Sequence, residues 1–206
     1  MAGVGLIAGG SVVVASYDSS VLAGTQSDRN HRKIAKLLYL AVEHRWPFVC
    51  FVEGAGARPD DPPPAPPIAV SPRGRFELYD GLAEMNGWAP TVAVVTGSAV
   101  DGHAAIAMLC DLVIASSDAS FGSADGRSRT VTDYAKTGDV NMVANNERDA
   151  IEEARRYLSF YLSEPSSGNA PPDAEHIADI IPRNRRRPYD MREVIASFAD
   201  TDSTLE

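Results

Sequence analysis

Hydrophobic residues in this chain occur as short uninterrupted runs, separated by longer segments with helical periodicity. Four of these runs lie at Val12–Ser16, Phe48–Val52, Val92–Thr96 and Leu112–Ala115. Because they lack the alternation of apolar and polar residues that a half-exposed strand shows, each predicts a strand that is buried on both faces. The order of strands and helices predicts an α/β fold with stacked strands inside and helices outside.

Amphipathic helices are predicted between the apolar runs. In the first helix, apolar residues recur at helical spacing at Ile34, Leu37, Leu38, Ala41 and Val42. Asp28 precedes them and is of a type favoured at helix N-caps, so we expect the helix to begin there. The same periodicity predicts a helix from Arg75 to Asn86, ended by Gly87, and another over Glu147–Leu162.

The N-terminal apolar stretch is interrupted by Gly9-Gly10. A glycine pair between two apolar runs predicts a tight hairpin turn. The stretch has no basic residue at its start, which disfavours a signal peptide. We find no apolar run long enough to cross a membrane.

Two proline-rich stretches divide the chain. Pro62–Pro72 predicts an extended surface loop, because consecutive prolines exclude a helix. Pro165–Pro172 is rich in serine, glycine and proline and predicts a linker. We therefore expect one domain over residues 1–164, followed by a linker and a C-terminal tail segment over residues 165–206.

Composition and charge narrow the functional classes. With 44% apolar and 23% charged residues among 206, the chain can bury one sizeable core. The net charge of −9 argues against a nucleic acid partner, and we assign the basic run Arg183–Arg187 to a solvated linker. Cys50 and Cys110 lie in apolar contexts, and two cysteines cannot form the four-thiolate site of a zinc ribbon. We expect a cytoplasmic protein without a bound metal or a membrane anchor.

The first candidate site lies between Thr91 and Gly122. This stretch predicts, in order, a strand, a glycine-rich turn and a short helix, at Thr91–Thr96, Gly97–Gly102 and His103–Leu109. Asp101 is expected to accept hydrogen bonds from the first free amides of that helix. The arrangement directs backbone N–H groups outward, as needed to stabilise an oxyanion. The alternative is an ordinary strand–helix joint, in which glycine only permits close packing.

A second candidate turn, with the sequence EGAGARPDD, follows the predicted strand at Phe48–Val52. Glycines directly after a parallel strand let backbone amides face a ligand. A plain connection between strand and helix is the alternative. Arg58 in this turn could bind a phosphate or form a salt bridge with Glu53.

These stretches resemble known proteins. The segment from Thr91 to Gly122 is similar to the oxyanion-hole region of the crotonase superfamily. The wider chain, from Val4 to Glu206, resembles the N-terminal half of a biotin-dependent acyl-CoA carboxyltransferase subunit. The matching positions are Asp18, Val21, Gly24, Glu53, Gly54, Gly56, Arg58, Pro59, Ile181, Pro182, Tyr189, Asp190, Met191, Arg192, Val194 and Ile195.

The resemblance implies a crotonase-like ββα spiral that forms a single domain and binds acyl-CoA. Backbone amides rather than a side-chain nucleophile would stabilise the thioester and ureido oxyanions. The residues implied in catalysis are Gly102, Asp101, Ala57 and Gly56. Those implied in substrate binding are Gly54, Ala55, Arg58, Gly24, Ser98 and His103.

The resemblance also implies partners. Biotin would be carried by another protein, and a separate C-terminal carboxyltransferase half would receive it, together with biotin carrier and biotin carboxylase subunits. A homo-oligomer is expected, because the family builds its site between protomers.

Two features depart from the family pattern. The family usually has Gly-Gly in the oxyanion turn, where this chain has Asp101-Gly102, and a carboxylate there would compete with an enolate for the amides. The region after Gly122 is also shorter than the corresponding family segment.

Two other functions stay open at the level of sequence. A stand-alone crotonase-like hydratase or thioesterase would need an acid/base carboxylate, for which Glu53, Asp101 and Asp125 are candidates. A non-catalytic scaffold derived from the same fold is the other possibility. His31 and His44 flank an apolar helix stripe and are interpreted as solvated surface residues.

Overall fold

A computed structural model of the chain describes residues 1–59, 77–123, 126–163, 177–184, 186–200 and 203–205. The chain divides into two compact units, Met1–Leu162 and Ser163–Glu206. The predicted loop at Pro62–Pro72 and the predicted linker at Pro165–Pro172 lie outside the described residues.

The first unit is built on a six-stranded sheet and a smaller second sheet. Its strands are β1 Ala2–Ile7, β2 Gly10–Ser16, β3 Phe48–Phe51, β4 Thr91–Val95, β5 Ser98–Val100, β6 Leu112–Ser116, β7 Ser120–Gly122, β8 Ser128–Thr130 and β9 Met142–Ala144. Its helices are a 3₁₀ turn at Leu22–Gly24, α1 Asp28–His44, α2 Leu78–Met85, α3 Gly102–Met108, α4 Val131–Thr137 and α5 Glu147–Leu162.

The large sheet has the strand order β1-β2-β3-β4-β6-β9. β1 pairs with β2 antiparallel, and all other neighbours in this sheet are parallel. The four predicted strands correspond to β2, β3, β4 and β6, which lie side by side at the centre. The prediction of an α/β fold with parallel strands inside and helices outside is confirmed.

Both faces of this sheet are covered, as the uninterrupted apolar runs predicted. Val13, Phe48 and Ala93 point to one face, where they share a core with residues of α1, α2 and α3. Val12 and Val92 point to the other face, where α5 packs. Successive residues of a strand therefore enter different cores, which explains why no polar position interrupts the runs.

The second sheet contains β5, β7 and β8. β5 and β7 are parallel, and β8 returns antiparallel to β7. An isolated parallel bridge pairs Ala99 of β5 with Gly54, and another pairs Ala57 with Gln26. The second sheet thus joins segments that follow different strands of the first.

The predicted N-terminal hairpin is present, but its turn is one residue earlier than expected. Ala8 and Gly9 form the turn, with φ values of 49° and 82°. Gly10 is instead the first residue of β2 and pairs with Ile7. A Cβ at Gly10 would lie 2.7 Å from Cδ2 of Leu162, so packing against α5 accounts for this glycine.

The start of α1 corrects a second prediction. Ser27, not Asp28, is the N-cap: its Oγ accepts a hydrogen bond from Asn30 N at 3.3 Å, and Asn30 Oδ1 accepts one from Ser27 N at 2.9 Å. Ser27 has the extended backbone that an N-cap needs, with φ −130°. Asp28 occupies the first helical position and forms an ion pair with Arg32 at 2.8 Å.

The predicted helix from Arg75 to Asn86 is present in part. Its described portion, α2, runs from Leu78 to Met85, while residues 75 and 76 lie outside the described residues. Gly87 follows with φ 77°, as expected at the end of a helix.

The second unit contains α6 Ile177–Ile180 and α7 Met191–Phe198. Asp190 caps α7 by accepting a hydrogen bond from Arg192 N at 2.9 Å. Across the described residues, no helix has the length and apolar character needed to span a membrane.

Candidate active site

Two turns meet at the carboxyl edge of the large sheet. The first turn, residues 53–58, follows β3, and the second turn, residues 96–102, leads from β4 into the first residue of α3 and includes β5. They are joined by a hydrogen bond from Gly54 N to Ser98 O at 2.7 Å and another from Val100 N to Gly54 O at 3.0 Å. The structure therefore brings together the two turns that the sequence singled out.

A third segment, residues 22–27, holds the first turn from the other side. Ala55 N donates to Ala23 O at 3.0 Å. Gln26 is bonded twice: its N donates to Gly56 O and its O accepts from Arg58 N, both at 2.8 Å. These bonds hold the first turn between the second turn and residues 22–27. Some backbone N–H groups of the first turn are left without an acceptor among the described residues.

The unused amides belong to residues that the sequence proposed as oxyanion donors. Within the described part of the chain, the N–H groups of Gly56, Ala57 and Gly102 have no hydrogen-bond acceptor. Ala57 is exposed, and Gly102 is half-buried at the first position of α3. Such free backbone donors are what an oxyanion site requires.

Asp101 does not cap α3, which corrects the expected role of its carboxylate. It occupies the N-cap position, but its side chain accepts no capping hydrogen bond, and its backbone has φ 49° and ψ −110°. Its Oδ2 lies 3.2 Å from the position that a Cβ would take at Gly56. The carboxylate therefore lies against the first turn at Gly56.

His103, predicted to bind substrate, is fully buried. Its Nε2 lies 3.1 Å from Gly24 O and its Nδ1 lies 3.3 Å from Val100 O, and its ring packs edge-on against Tyr17 at 4.5 Å. Burial lowers the pKa of His103, although the two carbonyls act in the opposite direction. The neutral ring has one N–H and donates to one of these carbonyls.

Gly24 and Gly54, also predicted to bind substrate, are packed around this histidine. A Cβ at Gly24 would lie 2.6 Å from Glu53 O, and one at Gly54 would lie 2.6 Å from both Gly24 O and the His103 ring. Their positive φ values, 67° and 154°, add a backbone reason for glycine. Close approach of three segments thus accounts for both residues.

Arg58 does not form the expected salt bridge with Glu53. Its Nε donates to Thr25 Oγ1 at 3.2 Å and its Nη2 donates to Thr25 O at 3.1 Å. Glu53 lies at the end of β3, where Thr96 Oγ1 donates to its carboxylate, so the two side chains face different neighbours.

The remaining predicted residues are near the surface. Ala55 and Ser98 are exposed, and Ser98 Oγ lies 3.3 Å from Ser120 Oγ. His44 is exposed and stacks on Trp46, while His31 is half-buried beside Tyr79. Asp125 lies outside the described residues.

The described residues form no metal site, and the two cysteines are free thiols in buried or half-buried positions. Among the described residues, no group of three or more His, Cys, Asp or Glu side chains could hold a metal ion. Burial raises the pKa of Cys50, and it raises that of Cys110 to about 12, so both thiols stay protonated near neutral pH.

Sequence reasoning missed two residues that contact this site. Gln26 pairs with the first turn through its backbone and contacts Gly102 through its side chain, and Thr96 binds Glu53. Neither belongs to a recognisable motif. The signal for Gln26 is its position one residue before the N-cap of α1, in a segment that must pass close to the glycines of the first turn.

Comparison with known proteins yields a family match. The family model described as carboxyl transferase domain matches residues 1–124 and 128–206. A biotin-dependent acetyl-/propionyl-coenzyme A carboxylase beta5 subunit from Mycobacterium tuberculosis is 29% identical over 99% of this chain and 42% of its own length.

Solved structures are similar as well. A single-chain, multi-domain long-chain acyl-CoA carboxylase shares 32% identity over 99% of this chain and 22% of its own, with a TM-score of 0.78. An enoyl-CoA hydratase/isomerase from Pseudoalteromonas atlantica, 15% identical, has the same fold with a TM-score of 0.63 over 80% of this chain and 77% of its own. The predicted crotonase-like fold is thereby confirmed. The chain spans less than half the length of the carboxylases that it matches.

Proposed function

The chain belongs to the carboxyl transferase domain family, and on that basis we propose that it binds an acyl-CoA thioester as the acyl-CoA half of a biotin-dependent carboxyltransferase. In this role the backbone amides of Ala57 and Gly102 hold the thioester oxygen as it gains negative charge. Loss of a proton from the carbon next to the carbonyl would produce that charge. Carboxybiotin on the partner protein would supply the carboxyl group: its bond to the biotin nitrogen would break, a new bond would form to that carbon, and the biotin nitrogen would take up the proton.

The observation that carries the proposal is the pair of turns with unused amides. Ala57 N–H lies on one turn and Gly102 N–H on the other, and neither has an acceptor in the described part of the chain. Donors that are fixed before the reaction stabilise a developing oxyanion without reorganising, which is worth roughly 3–4 kcal/mol per donor in a working site.

Side-chain nucleophilic catalysis is not supported by the same geometry. Ser98 is exposed and faces Ser120, whereas His103 is fully buried and faces two backbone carbonyls. A serine nucleophile requires a histidine within hydrogen-bond reach. We therefore assign His103, Gly24 and Gly54 to positioning the turns, and reserve direct contact with the thioester for the amides.

The proposed function requires other components. Biotin would be carried on a partner protein, and a C-terminal carboxyltransferase half with biotin carrier and biotin carboxylase subunits would complete the reaction. We propose that the protein acts in the cytoplasm as a homo-oligomer. Arg58, whose guanidinium lies on Thr25, is our candidate for contact with the phosphates of CoA.

Calorimetry with two ligands tests the amide role directly. Acetyl-CoA has the thioester carbonyl, whereas S-ethyl-CoA has a methylene group in its place. The wild-type chain should bind acetyl-CoA more tightly than S-ethyl-CoA. Equal affinity for the two ligands, or binding of neither, would contradict the proposal.

A backbone variant sharpens this test. Ala57→Pro removes one N–H and disturbs no hydrogen bond among the described residues, because the bonds to Gln26 use Gly56 O and Arg58 N. Ala57→Gly keeps the N–H and is the matched control. We expect the preference for acetyl-CoA to fall roughly tenfold or more in Ala57→Pro and to persist in Ala57→Gly.

A second candidate function rests on Glu53. Its carboxylate accepts a hydrogen bond from Thr96 Oγ1 and lies 3.1 Å from the Cβ position of Gly97, with no cationic partner among the described residues. A carboxylate beside an oxyanion site is what a crotonase-like hydratase needs for acid/base catalysis. Hydration of crotonyl-CoA by the wild-type chain, lost in Glu53→Gln, would favour this function over the first.

A non-catalytic scaffold is the third possibility that the sequence leaves open. It predicts no binding of acetyl-CoA, S-ethyl-CoA or crotonyl-CoA by a folded chain. The calorimetric series together with the hydration assay therefore separates all three functions.

A further inference from the structure

Gln26 is bonded to the first turn through its backbone, on the side away from the second turn. Its N donates to Gly56 O and its O accepts from Arg58 N, so it is paired on both sides of Ala57. The residue is buried, with 7% of its surface exposed. A movement of Gln26 would therefore displace the amide of Ala57.

The side chain of Gln26 ends against the second turn. A Cβ placed on Gly102 would lie 2.1 Å from Oε1 of Gln26 and 3.0 Å from its Cδ. The carboxamide thus fills the space that a side chain at position 102 would occupy. Gln26 contacts both turns, with its backbone on one and its amide on the other.

The side-chain nitrogen of Gln26 is buried and makes no hydrogen bond. Within the described residues, Nε2 of Gln26 has no hydrogen-bond partner. Burying a polar group without a partner costs free energy, so hydrogen bonding does not account for the placement of this side chain against Gly102.

We infer that Gln26 is a positioning residue that sets the separation of the Ala57 and Gly102 amides. The inference rests on the proposed function, since it gives a purpose to that separation. It gives a reason for a long polar side chain that is buried with no hydrogen bond to its nitrogen among the described residues. The Gln26 carboxamide occupies the place of a Cβ at position 102, which favours glycine there.

Backbone dynamics test the inference without any ligand. The ¹⁵N order parameters of the Ala57 and Gly102 amides should be those of rigid backbone in the wild-type chain, about 0.85. Gln26→Ala removes the contact with Gly102, and Gln26→Asn keeps the amide but shortens the side chain by one methylene group. Both variants should lower the two order parameters together, toward about 0.6.

A matched control separates positioning from a general loss of stability. Ile114→Val lies in the core on the α5 side of the sheet, outside the cluster that contains the turns. It should lower stability and leave both order parameters unchanged. Unchanged order parameters in Gln26→Ala and Gln26→Asn would overturn the inference.

Ligand binding provides the second readout. Gln26→Ala and Gln26→Asn should weaken acetyl-CoA binding roughly tenfold or more and leave S-ethyl-CoA binding unchanged, because misplaced amides matter only to a carbonyl. A role in packing alone would change both affinities or neither, and either result would overturn the inference.

The two proposals fail in distinguishable ways. If the wild-type chain binds no acyl-CoA but the order parameters fall as expected, the proposed function is wrong and the positioning of the turns by Gln26 stands.

Discussion

Asp101 and His103 each occupy a position that is unusual for their residue type. Asp101 has φ 49° and ψ −110°, a combination that strongly favours glycine. His103 is a titratable group with no exposed surface. Each such residue costs folding free energy, and that cost can be measured by substitution.

Replacing Asp101 with glycine should stabilise the protein. The strain of a non-glycine residue in this region of φ and ψ is about 1–3 kcal/mol, and the greater freedom of glycine in the unfolded chain offsets part of it. No capping bond is lost, since Asp101 makes none. We expect a net gain of about 1 kcal/mol in the free energy of unfolding, measured with urea.

Asp101→Ala is the control for the glycine variant. Alanine keeps a Cβ and hence the strain, so this variant should show no gain in stability. Both variants remove a negative charge that lies against the first turn, so both should bind acetyl-CoA more tightly than wild type. Unchanged affinity in both would show that the carboxylate does not act on the amides.

Stability should depend on the protonation of His103. Burial lowers its pKa below the ordinary value of 6.5, so the unfolded chain takes up this proton first as the pH falls. The stability that comes from keeping His103 neutral in the folded chain is therefore fully present above pH 6.5. It is lost as the pH falls from there through the folded pKa. Urea denaturation at a series of pH values should show this decline.

Two histidine variants assign the decline to its source. His103→Gln removes the buried titrating group and should flatten the slope immediately below pH 6.5. His44→Gln removes an exposed imidazole outside this cluster and should leave the slope in place. A slope that persists in His103→Gln and disappears in His44→Gln would assign the pH dependence to a group other than His103.

Secondary-structure elements show where sequence reasoning succeeds. The strands β2, β3, β4 and β6 were predictable because burial on both faces leaves a strong apolar signal. The second sheet was not, because β5, β7 and β8 have three residues each and β8 is wholly exposed. Such short strands are defined by their partners rather than by their own residues.

The ends of elements and the contacts between distant segments were harder to predict, because they depend on residues far away in the sequence. Gly9-Gly10 suggested a turn, yet Gly10 is required by Leu162, far away in the sequence. The two turns of the candidate site were visible as glycine-rich motifs, whereas Gln26 became apparent only through its distances to other segments. Sequence patterns report local conformation well and close approach between distant segments poorly.

The capping of α1 gives a prediction at the scale of the element. Ser27→Ala removes one side of the capping box and should cost about 1 kcal/mol of unfolding free energy. Asp28→Ala removes a partly exposed ion pair with Arg32 and should cost about 0.5 kcal/mol or less. Thermal or urea denaturation of both variants ranks the two effects, and a larger loss in Asp28→Ala would contradict the assignment of Ser27 as the cap.

At the scale of the whole molecule, we expect the chain to associate. The edge strand β1 pairs on one side only within the described residues, and its Val4 and Leu6 are 48% and 69% exposed. Exposed apolar edge strands favour pairing between chains. Sedimentation at micromolar concentration should show species larger than 22.0 kDa.

Leu6→Lys tests this expectation, because a charge on the edge strand opposes pairing. The variant should shift the distribution toward the monomer, while the exposed polar substitution Glu43→Lys should not. A single 22.0 kDa species for the wild-type chain would contradict the prediction.

The contact between His103 and Gly24 has a consequence for the order of events in folding. The two residues are 79 positions apart, and Arg58 and Thr25 are 33 apart, so the turns are closed by distant partners. Closing loops of this length costs conformational entropy before the contacts repay it, so we expect these contacts to form after the transition state. We expect substitutions in the turns to accelerate unfolding and to leave the refolding rate nearly unchanged. The residues that serve chemistry would then be the last to assemble and the first to separate.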